Sequence, residues 1–287
     1  MERLSEEMFA GKLWKWSWRI VLFALALGLL QAGRVSLLYS NITKVDFFWS
    51  FIGEVLIGIT LVFAISKTHL RRFDLAVLVW LVLFLVQQFS NTLEGLFFTT
   101  LYSSTAYLAQ SLLTSLLTTF VEGVLAAVLF QPTKHDVSLV SEFSSYFEKR
   151  SAPSWAWRIG VGSVAYFPIY FFFGALITPF IMPYYSNPSF GLRIPSFAVM
   201  IPLEFFRGFL YVLSLLGIFA AVKATQRTMS LIAASILYVP GGLVALMLAT
   251  ATATMPLAII PFHLTEILAD SLAYGLVLTY LFRLKPN

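Results

Sequence analysis

The chain has 287 residues, of which 59% are hydrophobic and 11% are charged, and its mean hydropathy is +0.84. Soluble globular domains carry about 25% charged residues, so this composition excludes that class and indicates a protein whose main partner is the lipid bilayer. The sequence contains no cysteine, which excludes disulfides, thiolate metal ligands and a cysteine nucleophile. The net charge of +5 does not indicate nucleic acid as a partner, because the basic residues are spread over alternate loops.

Eight apolar segments are each close to the roughly 20 residues that cross the hydrocarbon core of a bilayer. The sequence therefore predicts an all-α, polytopic membrane protein with eight transmembrane helices. The predicted spans are, in chain order, Trp16–Tyr39, Phe47–Ile65, Leu75–Phe98, Tyr107–Phe130, Trp157–Met182, Phe197–Val222, Met229–Ala251 and Leu257–Phe282.

Lysine and arginine are concentrated on one side of this predicted topology. They lie before or at the start of the first span and after the second, fourth, sixth and eighth spans, as Arg3, Lys12, Lys15, Arg19, Lys67, Arg71, Arg72, Lys134, Lys149, Arg150, Arg158, Lys223, Arg227, Arg283 and Lys285. The opposite loops hold only Lys44 and Arg193. The positive-inside rule then predicts that both termini are cytoplasmic.

The two halves of the chain share short motifs in the same order. The matched pairs are Trp16–Ile20 (WSWRI) with Trp155–Ile159 (WAWRI), Tyr39–Asn41 with Tyr185–Asn187, Glu54 and Gly58 with Glu204 and Gly208, and Gly123 with Gly275. This order predicts two four-helix repeats, residues 1–134 and 153–287. An even number of spans per repeat gives both repeats the same orientation in the membrane, as in parallel-repeat transporters.

The segment 135–152 joins the predicted repeats. Val137, Val140, Phe143 and Phe147 recur at helical spacing, with polar residues opposite them. This pattern is typical of an amphipathic helix on the cytoplasmic membrane surface. An ordinary solvated linker helix is the alternative.

Six acidic residues fall inside the predicted spans. They are Glu54, Glu94, Glu122, Glu204, Glu266 and Asp270, and only Arg34, Arg207 and His263 could balance them. Counted at about 1.5 Å per residue, the acids occur at levels through the full membrane thickness. Ionisable groups in hydrocarbon are costly unless they face a protein interior or water, so the acids predict an ion or proton pathway.

The last span carries His263, Glu266 and Asp270 on one helical face, within about 60°. These residues are candidates for substrate contact and coupling. His263, Glu266 and Glu204 are also candidate ligands of a divalent metal cofactor, since imidazole and carboxylates suit zinc, manganese or iron. The third possibility is buried hydrogen bonding between helices.

The remaining intramembrane residues have structural alternatives of the same kind. Glu204 and Arg207 are three residues apart on one helix, so they could neutralise each other. Arg34 could snorkel outward or pair with Glu94 or Glu54. If the repeats are real, Glu54 and Glu204 occupy equivalent positions, which predicts that they meet near the pseudo-axis.

Two breaks in the helical pattern lie near these residues. Pro240-Gly241-Gly242 interrupts the seventh span, and Pro261 precedes His263 by two residues. Proline removes a backbone donor and glycine lacks a side chain to pack, so both helices are predicted to kink or unwind at mid-depth. Such breaks are gating candidates because transporters hold substrate at freed backbone groups. A simple proline kink is the alternative.

The segment Glu204–Tyr211 (EFFRGFLY) resembles the first motif of the CPBP family of intramembrane proteases, in which paired glutamates precede an arginine and a glycine. The resemblance covers these eight residues. It implies a glutamate and later histidines that activate water for peptide hydrolysis. The sequence departs from the pattern at Pro202 and Leu203, where the paired glutamates would stand, and at Ile267, where the partner of a late histidine would stand.

These observations favour an integral membrane transporter of an ion or small solute, coupled to protons or cations. Its binding site is predicted to contain Glu54, Glu204, Glu266 and His263 with Arg207, and an inner relay is predicted at Asp270 and Glu122. An intramembrane hydrolase is the alternative, with Glu204 or Glu266 as the general base and His263 as a metal ligand or acid. An accessory membrane subunit, whose acids bind partner helices, is the third.

Overall fold

In the computed structural model the chain is 85% helical. The structure describes residues 2–38, 44–102, 104–131, 135–252 and 255–284, and within them the side chains of residues 16–34, 47–102, 104–131, 135–250, 252 and 255–284. No strand occurs in these ranges. Tyr39–Asn41, Lys134 and Lys285, which the sequence arguments used, lie outside them, as do the side chains of Arg3, Lys12, Lys15 and Lys44.

Eleven α-helices are described in these ranges. They are α1 (Glu2–Leu38), α2 (Lys44–Ile65), α3 (Arg72–Leu83), α4 (Ser90–Phe98), α5 (Thr105–Leu129), α6 (Leu139–Phe147), α7 (Ala152–Tyr185), α8 (Phe197–Ala221), α9 (Gln226–Tyr238), α10 (Val244–Ala251) and α11 (Ile260–Phe282). A π-helical turn at Phe84–Phe89 joins α3 to α4, and another at Val239–Leu243 joins α9 to α10. Each of these pairs forms one continuous span.

Eight helices of the described chain are long and apolar enough to cross a membrane, which confirms the predicted all-α class and the number of spans. Their outward surfaces keep large apolar side chains exposed, including Leu29 at 63%, Phe180 at 55% and Leu276 at 60%. An exposed apolar surface of this extent is what a bilayer covers. Localisation as a multi-pass membrane protein is consistent with this surface.

Helices adjacent in the chain form the closest pairs: the first span with the second, the third with the fourth, the fifth with the sixth, and the seventh with the eighth. The first span also contacts the fourth, and the fifth contacts the eighth. Contacts between the halves run from the second span to the seventh and from the sixth to the third. This arrangement leaves the third, fifth, sixth, seventh and eighth spans facing a common interior.

The bundle is tightly packed at the end that holds the end of α11. Trp155 stacks on Phe282 with ring centroids 6.3 Å apart, and Phe23 lies 5.1 Å from Phe130. The short helix α6 covers this end, where the hydroxyl of Tyr146 donates to the carbonyl of Phe282 at 2.7 Å. Burial in this joint raises the pKa of Tyr146 above its ordinary value.

Helix α6 is shorter than the amphipathic segment that the sequence suggested. Its N-terminus is capped by Ser138, whose hydroxyl accepts from the backbone N–H of Ser141, and the backbone of Val137 pairs with that of Leu70 instead of joining the helix. Phe143 and Phe147 pack on the core, whereas Val140 is 77% exposed.

Pro261 does not interrupt a helix, in contrast to the prediction. A 3₁₀ turn at Leu257–Ile259 precedes α11, and Pro261 occupies the first turn of α11. The first N–H groups of a helix have no partner within it, so proline costs nothing at this position and fixes a suitable φ. His263 therefore lies near the start of its helix.

Candidate functional site

A cavity of about 1240 Å³ opens between the third, fifth, sixth, seventh and eighth spans. It extends from Asp270 and Arg207 to the loops at the end opposite α6, where Thr100, Ser189 and Leu257 line it. At the depth of the bilayer its wall is a mixture of apolar, aromatic and ionisable side chains. Polar and ionisable groups that are costly in hydrocarbon are thus gathered around one space.

Arg207 is the centre of the ionisable cluster on this wall. Its guanidinium lies 2.9 and 3.2 Å from the two carboxylate oxygens of Glu204 and 2.7 Å from Glu94. It also donates to the hydroxyls of Ser90 and Tyr211, at 3.3 and 3.2 Å. Glu204 is fully buried and lies behind the surface of the cavity, whereas Arg207, which is 3% exposed, and Glu94, whose side chain is 36% exposed, line it.

Three tyrosines surround the same guanidinium. The ring centroids of Tyr166, Tyr170 and Tyr211 lie 5.6, 5.9 and 5.9 Å from the Arg207 carbon. Tyrosine faces attract cations within about 6 Å, and the attraction grows when water is excluded. The interior is therefore already adapted to hold positive charge, through both carboxylates and aromatic faces.

On α11 the three predicted residues face the cavity together. His263 Nδ1 lies 2.8 Å from Glu266 Oε2, and the His263 ring is 3.5 Å from the hydroxyl of Tyr185 through Nε2. Glu266 Oε1 lies against Gly174, where an added Cβ would be 3.0 Å away. Asp270 is 5% exposed and its described hydrogen bond is a long one, 3.4 Å from the hydroxyl of Ser271.

The two π-helical turns pack against each other beside the cavity, and the turn of the seventh span also packs against α11. Gly241 packs against Val86 so closely that an added Cβ would lie 3.1 Å from Val86 Cγ1, and an added Cβ on Gly242 would overlap Ile267 of α11. On the third span, Gln87 Oε1 and Asn91 Nδ2 are buried and lack a hydrogen-bond partner among the described residues. Both residues line the cavity, one turn apart, and offer it an acceptor and a donor.

A second buried cluster lies in the first half of the chain, on the first, second and fourth spans. Gln31 Nε2 donates to Glu122 Oε1 at 2.9 Å, and Arg34 Nη1 donates to Gln31 Oε1 at 3.2 Å. Glu54 interacts electrostatically with Glu122 and with Arg34, and the amide of Gln31 lies within its reach. Glu54 and Glu122 are 1% and 0% exposed, whereas Gln31 and Arg34 line the cavity.

The structure thus divides the predicted site residues into two groups. Arg207, His263, Glu266 and Asp270 line the cavity with Gly241 and Gly242, and Glu204 supports Arg207 from behind. Glu54 and Glu122 form the second cluster, and the partners of Glu54 do not include Glu204. Pro240 is buried beside the cavity and Pro261 starts α11. The residues therefore do not form the single ladder that the sequence suggested.

The described residues contain no set of donor atoms that supports the metal-ligand hypothesis. No group of three histidine, aspartate or glutamate side chains there is arranged to hold a metal ion. His263 and Glu266 contact each other, but the carboxylate of Glu204 is hydrogen-bonded to Arg207. A carboxylate already engaged by a guanidinium is a poor third ligand.

Several residues of the site were not identified from the sequence. They are Glu94 as a partner of Arg207, the ring cage Tyr166, Tyr170 and Tyr211, the amides Gln87 and Asn91, and Gln31. The pairs Tyr166 with Tyr170 and Gln87 with Asn91 are spaced i, i+4, which places two polar groups on one face of an apolar span. That spacing was the sequence signal from which these four residues could have been identified.

Comparisons with known proteins identify no relative of this chain. No protein-family model matches it, and neither does any curated protein or solved structure. The functional argument therefore rests on the geometry of the site.

Proposed function

We propose that this protein is an integral membrane transporter that binds a small cation, or a solute carrying a positive charge, in the cavity beside Asp270. Coupling to protons or cations through intramembrane carboxylates is part of the proposal. The observation that supports this transport proposal is the charge of the cavity wall. The Arg207 guanidinium is already neutralised by Glu94 and Glu204, whereas Asp270 has no ion pair among the described residues.

The chemistry of the cavity favours a cation over an anion. Glu266 and Asp270 are one turn apart and line the same cavity as Tyr166 and Tyr170 of the fifth span. A carboxylate with aromatic faces nearby is a suitable environment for a desolvated ammonium or metal cation. Gln87 and Asn91 would supply the polar contacts that orient a larger solute.

We propose that residues 1–134 and 153–287 are parallel four-helix repeats, joined by residues 135–152. The contacts of two arginines support the repeat. Arg19 donates to the carbonyl of Leu129 at 3.0 Å, and Arg158 donates to that of Leu281 at 3.3 Å. Each arginine therefore binds the last turn of the final helix of its own half. Each also lies over a neighbouring tryptophan of its WxWR motif.

The helix crossings repeat in the same way. An added Cβ on Gly123 would meet the backbone N of Trp80 at 3.0 Å, and on Gly275 it would meet that of Ala234 at 2.8 Å. The π-helical turns also fall in the third span of each half, at Phe84–Phe89 and Val239–Leu243. Two similar units that meet at these turns would allow the rocking movement that alternating access requires.

The basic residues support an orientation with both termini in the cytoplasm. The cavity would then open to the outside, since the loops at its mouth are those opposite the termini. The inner end is closed in this conformation by α6 and the aromatic packing beneath it. The structure would correspond to an outward-facing state.

Binding to the cavity can be tested before the solute is known. Purified protein in detergent is heated with sodium, potassium, magnesium, methylammonium, choline and putrescine as probes, because a ligand that binds the folded state raises the Tm. We expect at least one of these cations to raise the Tm of the wild-type protein, and Asp270→Asn to abolish the increase. Asp136→Asn, which makes the same change at an exposed position, is the matched control and should keep the increase.

The probe that stabilises the protein is then tested for uptake into liposomes. Uptake that depends on Asp270 supports transport. If none of the cations shifts the Tm, or if Asp270→Asn responds as the wild type does, the cation site is wrong. If the probe binds but is not taken up by the liposomes, the transport function is wrong.

One observation favours a second candidate, an intramembrane hydrolase. His263 and Glu266 form a carboxylate–imidazole pair at 2.8 Å that faces the cavity, and such a pair can act as a general acid or base. A hydrolase of this type predicts cleavage of a membrane peptide that is lost in His263→Ala. Bound metal that is lost in the same variant would also favour the enzyme over the transporter.

A further inference from the structure

The second cluster, Glu54, Gln31 and Glu122, is a site in its own right. Its two carboxylates come from the second and fourth spans and are held by one amide from the first span. Neither carboxylate lines the cavity, whereas Gln31 and Arg34 do. A function based on the cavity alone gives no reason for two acids in this position.

The charges of the cluster do not balance. Two carboxylates face one guanidinium, that of Arg34, which is the only other charged group acting on either acid among the described residues. The helices packed against the second span at this level, the first, fourth and seventh, bring no further described acid or base to the pair. One more positive charge is needed for neutrality, and an uncompensated buried charge would cost several kcal/mol.

The hydrogen bonds of the cluster are also incomplete. Glu54 Oε2 and Glu122 Oε2 are buried and have no partner among the described residues. The hydroxyl of Ser50, 2% exposed and one turn before Glu54 on the same helix face, lacks a partner in the same set. Buried polar atoms are rarely left unpaired, so the free oxygens of two carboxylates that interact with each other indicate a missing hydrogen.

We propose that Glu54 and Glu122 together bind one exchangeable proton, and that this site couples proton movement to the conformational change. The proton comes from water in the cavity, forms an O–H bond with one carboxylate oxygen and is shared with the other, and it returns to water on release. Two close carboxylates that share one proton behave as a single titrating unit. Gln31 contacts the pair and lines the cavity. It is the positioning residue that separates the proton site from the cavity.

A proton explains the geometry better than a sodium ion. Sodium requires a shell of several oxygens, and hard cations in proteins take six or more. The described cluster offers three unpartnered oxygens, on Glu54, Glu122 and Ser50. One shared proton satisfies both carboxylate oxygens at once and needs no further ligand.

The site is tested by infrared spectroscopy of the protein in membranes at neutral pH, with the carboxylic-acid C=O stretch and its shift in D₂O as the readout. We expect a band that is absent from both Glu54→Gln and Glu122→Gln. Removal of either acid leaves the other with Arg34 as a counter-ion, so it loses its proton. Glu142→Gln, at a partly buried acid on α6 that pairs with Lys223, is the control and keeps the band.

Three results would overturn the proposal. The first is a band that persists in both variants. The second is loss in only one variant, which would indicate a solitary carboxylic acid. The third is loss of the wild-type band on addition of sodium, which would indicate a cation site.

Tm measurements show whether the variants fold. We expect both variants to be at least as stable as the wild type, since each removes a buried acid and keeps its shape. The coupling role rests on the proposed transport function, whereas the proton site does not. A failed infrared test would refute the proton site and leave uptake intact, and a failed uptake test would leave the band intact.

Discussion

Arg207 lies 2.7 Å from Glu94 although 113 residues separate them, so one ion pair joins the sixth span to the third in the interior of the bundle. Glu204 holds the opposite side of the same guanidinium. Arg207 therefore compensates two acids, one fully buried and one open to the cavity. Its removal would leave the buried acid without a counter-ion.

The first prediction follows from this relationship. Arg207→Met should destabilise the protein by about 3–5 kcal/mol, because it leaves Glu204 buried and unpaired. Adding Glu204→Gln should restore part of the loss, since the remaining amide carries no charge. The Tm values of the wild type, both single variants and the double variant form a cycle that measures the coupling. Additive effects in that cycle would contradict the pairing.

The second prediction concerns orientation and the mouth of the cavity. Because the chain has no cysteine, single cysteines can be labelled without background. A membrane-impermeant maleimide added to intact cells should label Ser186→Cys, which lies between the fifth and sixth spans, but not Gln226→Cys, which lies after the sixth.

The same labelling experiment includes a cysteine on the cavity wall and a control for reactivity. Thr178→Cys, on the cavity wall, should react with a small cationic thiol reagent added from the same side as the maleimide. Permeabilised cells, in which Gln226→Cys becomes accessible, control for its reactivity. The opposite pattern of labelling would reverse the proposed orientation.

The third prediction concerns the contact of the fifth and sixth spans. An added Cβ on Gly208 would overlap the carbonyl of Ser163 and lie 2.8 Å from Tyr166 Cβ. Gly208→Ala should therefore force the two helices apart, with a loss of about 1–3 kcal/mol, as is typical of overpacking. Gly160→Ala is the matched control, since its Cβ would meet nothing within 4 Å.

The control variant should change the stability in the opposite direction. Alanine is favoured over glycine inside a helix by about 0.5–1 kcal/mol, so Gly160→Ala is expected to be neutral or stabilising. Equal losses of Tm in the two variants would show that the close approach at Gly208 does not limit packing.

The fourth prediction concerns Tyr146, whose hydroxyl joins α6 to the carbonyl of Phe282. Tyr146→Phe removes this hydrogen bond and should cost about 0.5–1.5 kcal/mol. Because burial raises the pKa of Tyr146 in the folded state above the ordinary value near 10, its contribution is fully present below about pH 10. That contribution is lost as the pH rises through the folded-state pKa.

The measurement is the difference in unfolding free energy between wild type and Tyr146→Phe from pH 8 to pH 11. The difference should shrink above about pH 10. Tyr280→Phe, at a position 79% exposed, controls for the loss of a tyrosine hydroxyl elsewhere in the chain. A free-energy difference that does not change with pH would contradict the prediction, because it would show that the titration of Tyr146 does not affect this hydrogen bond.

The positions of the spans followed from the sequence because the hydrophobic effect acts on contiguous segments. The ends of most spans agree with the described helices to within a few residues, as at Phe197 and Phe282. The π-helical turn at Val239–Leu243 was signalled by Pro240-Gly241-Gly242, but the one at Phe84–Phe89 has no proline or glycine. It packs against Gly241 of the seventh span, a contact that the sequence of the third span does not reveal.

The sequence by itself determined that this protein is a bundle of eight apolar helices with acids in its interior, since span length and the cost of buried charge are local quantities. It also identified His263, Glu266 and Asp270 as one helical face. Only the tertiary structure decided that Glu94 pairs with Arg207 and that Glu54 pairs with Glu122 around Gln31. Partner choice depends on how separate helices rotate and cross, and that is settled by packing over the whole bundle and not by the residues within any one span.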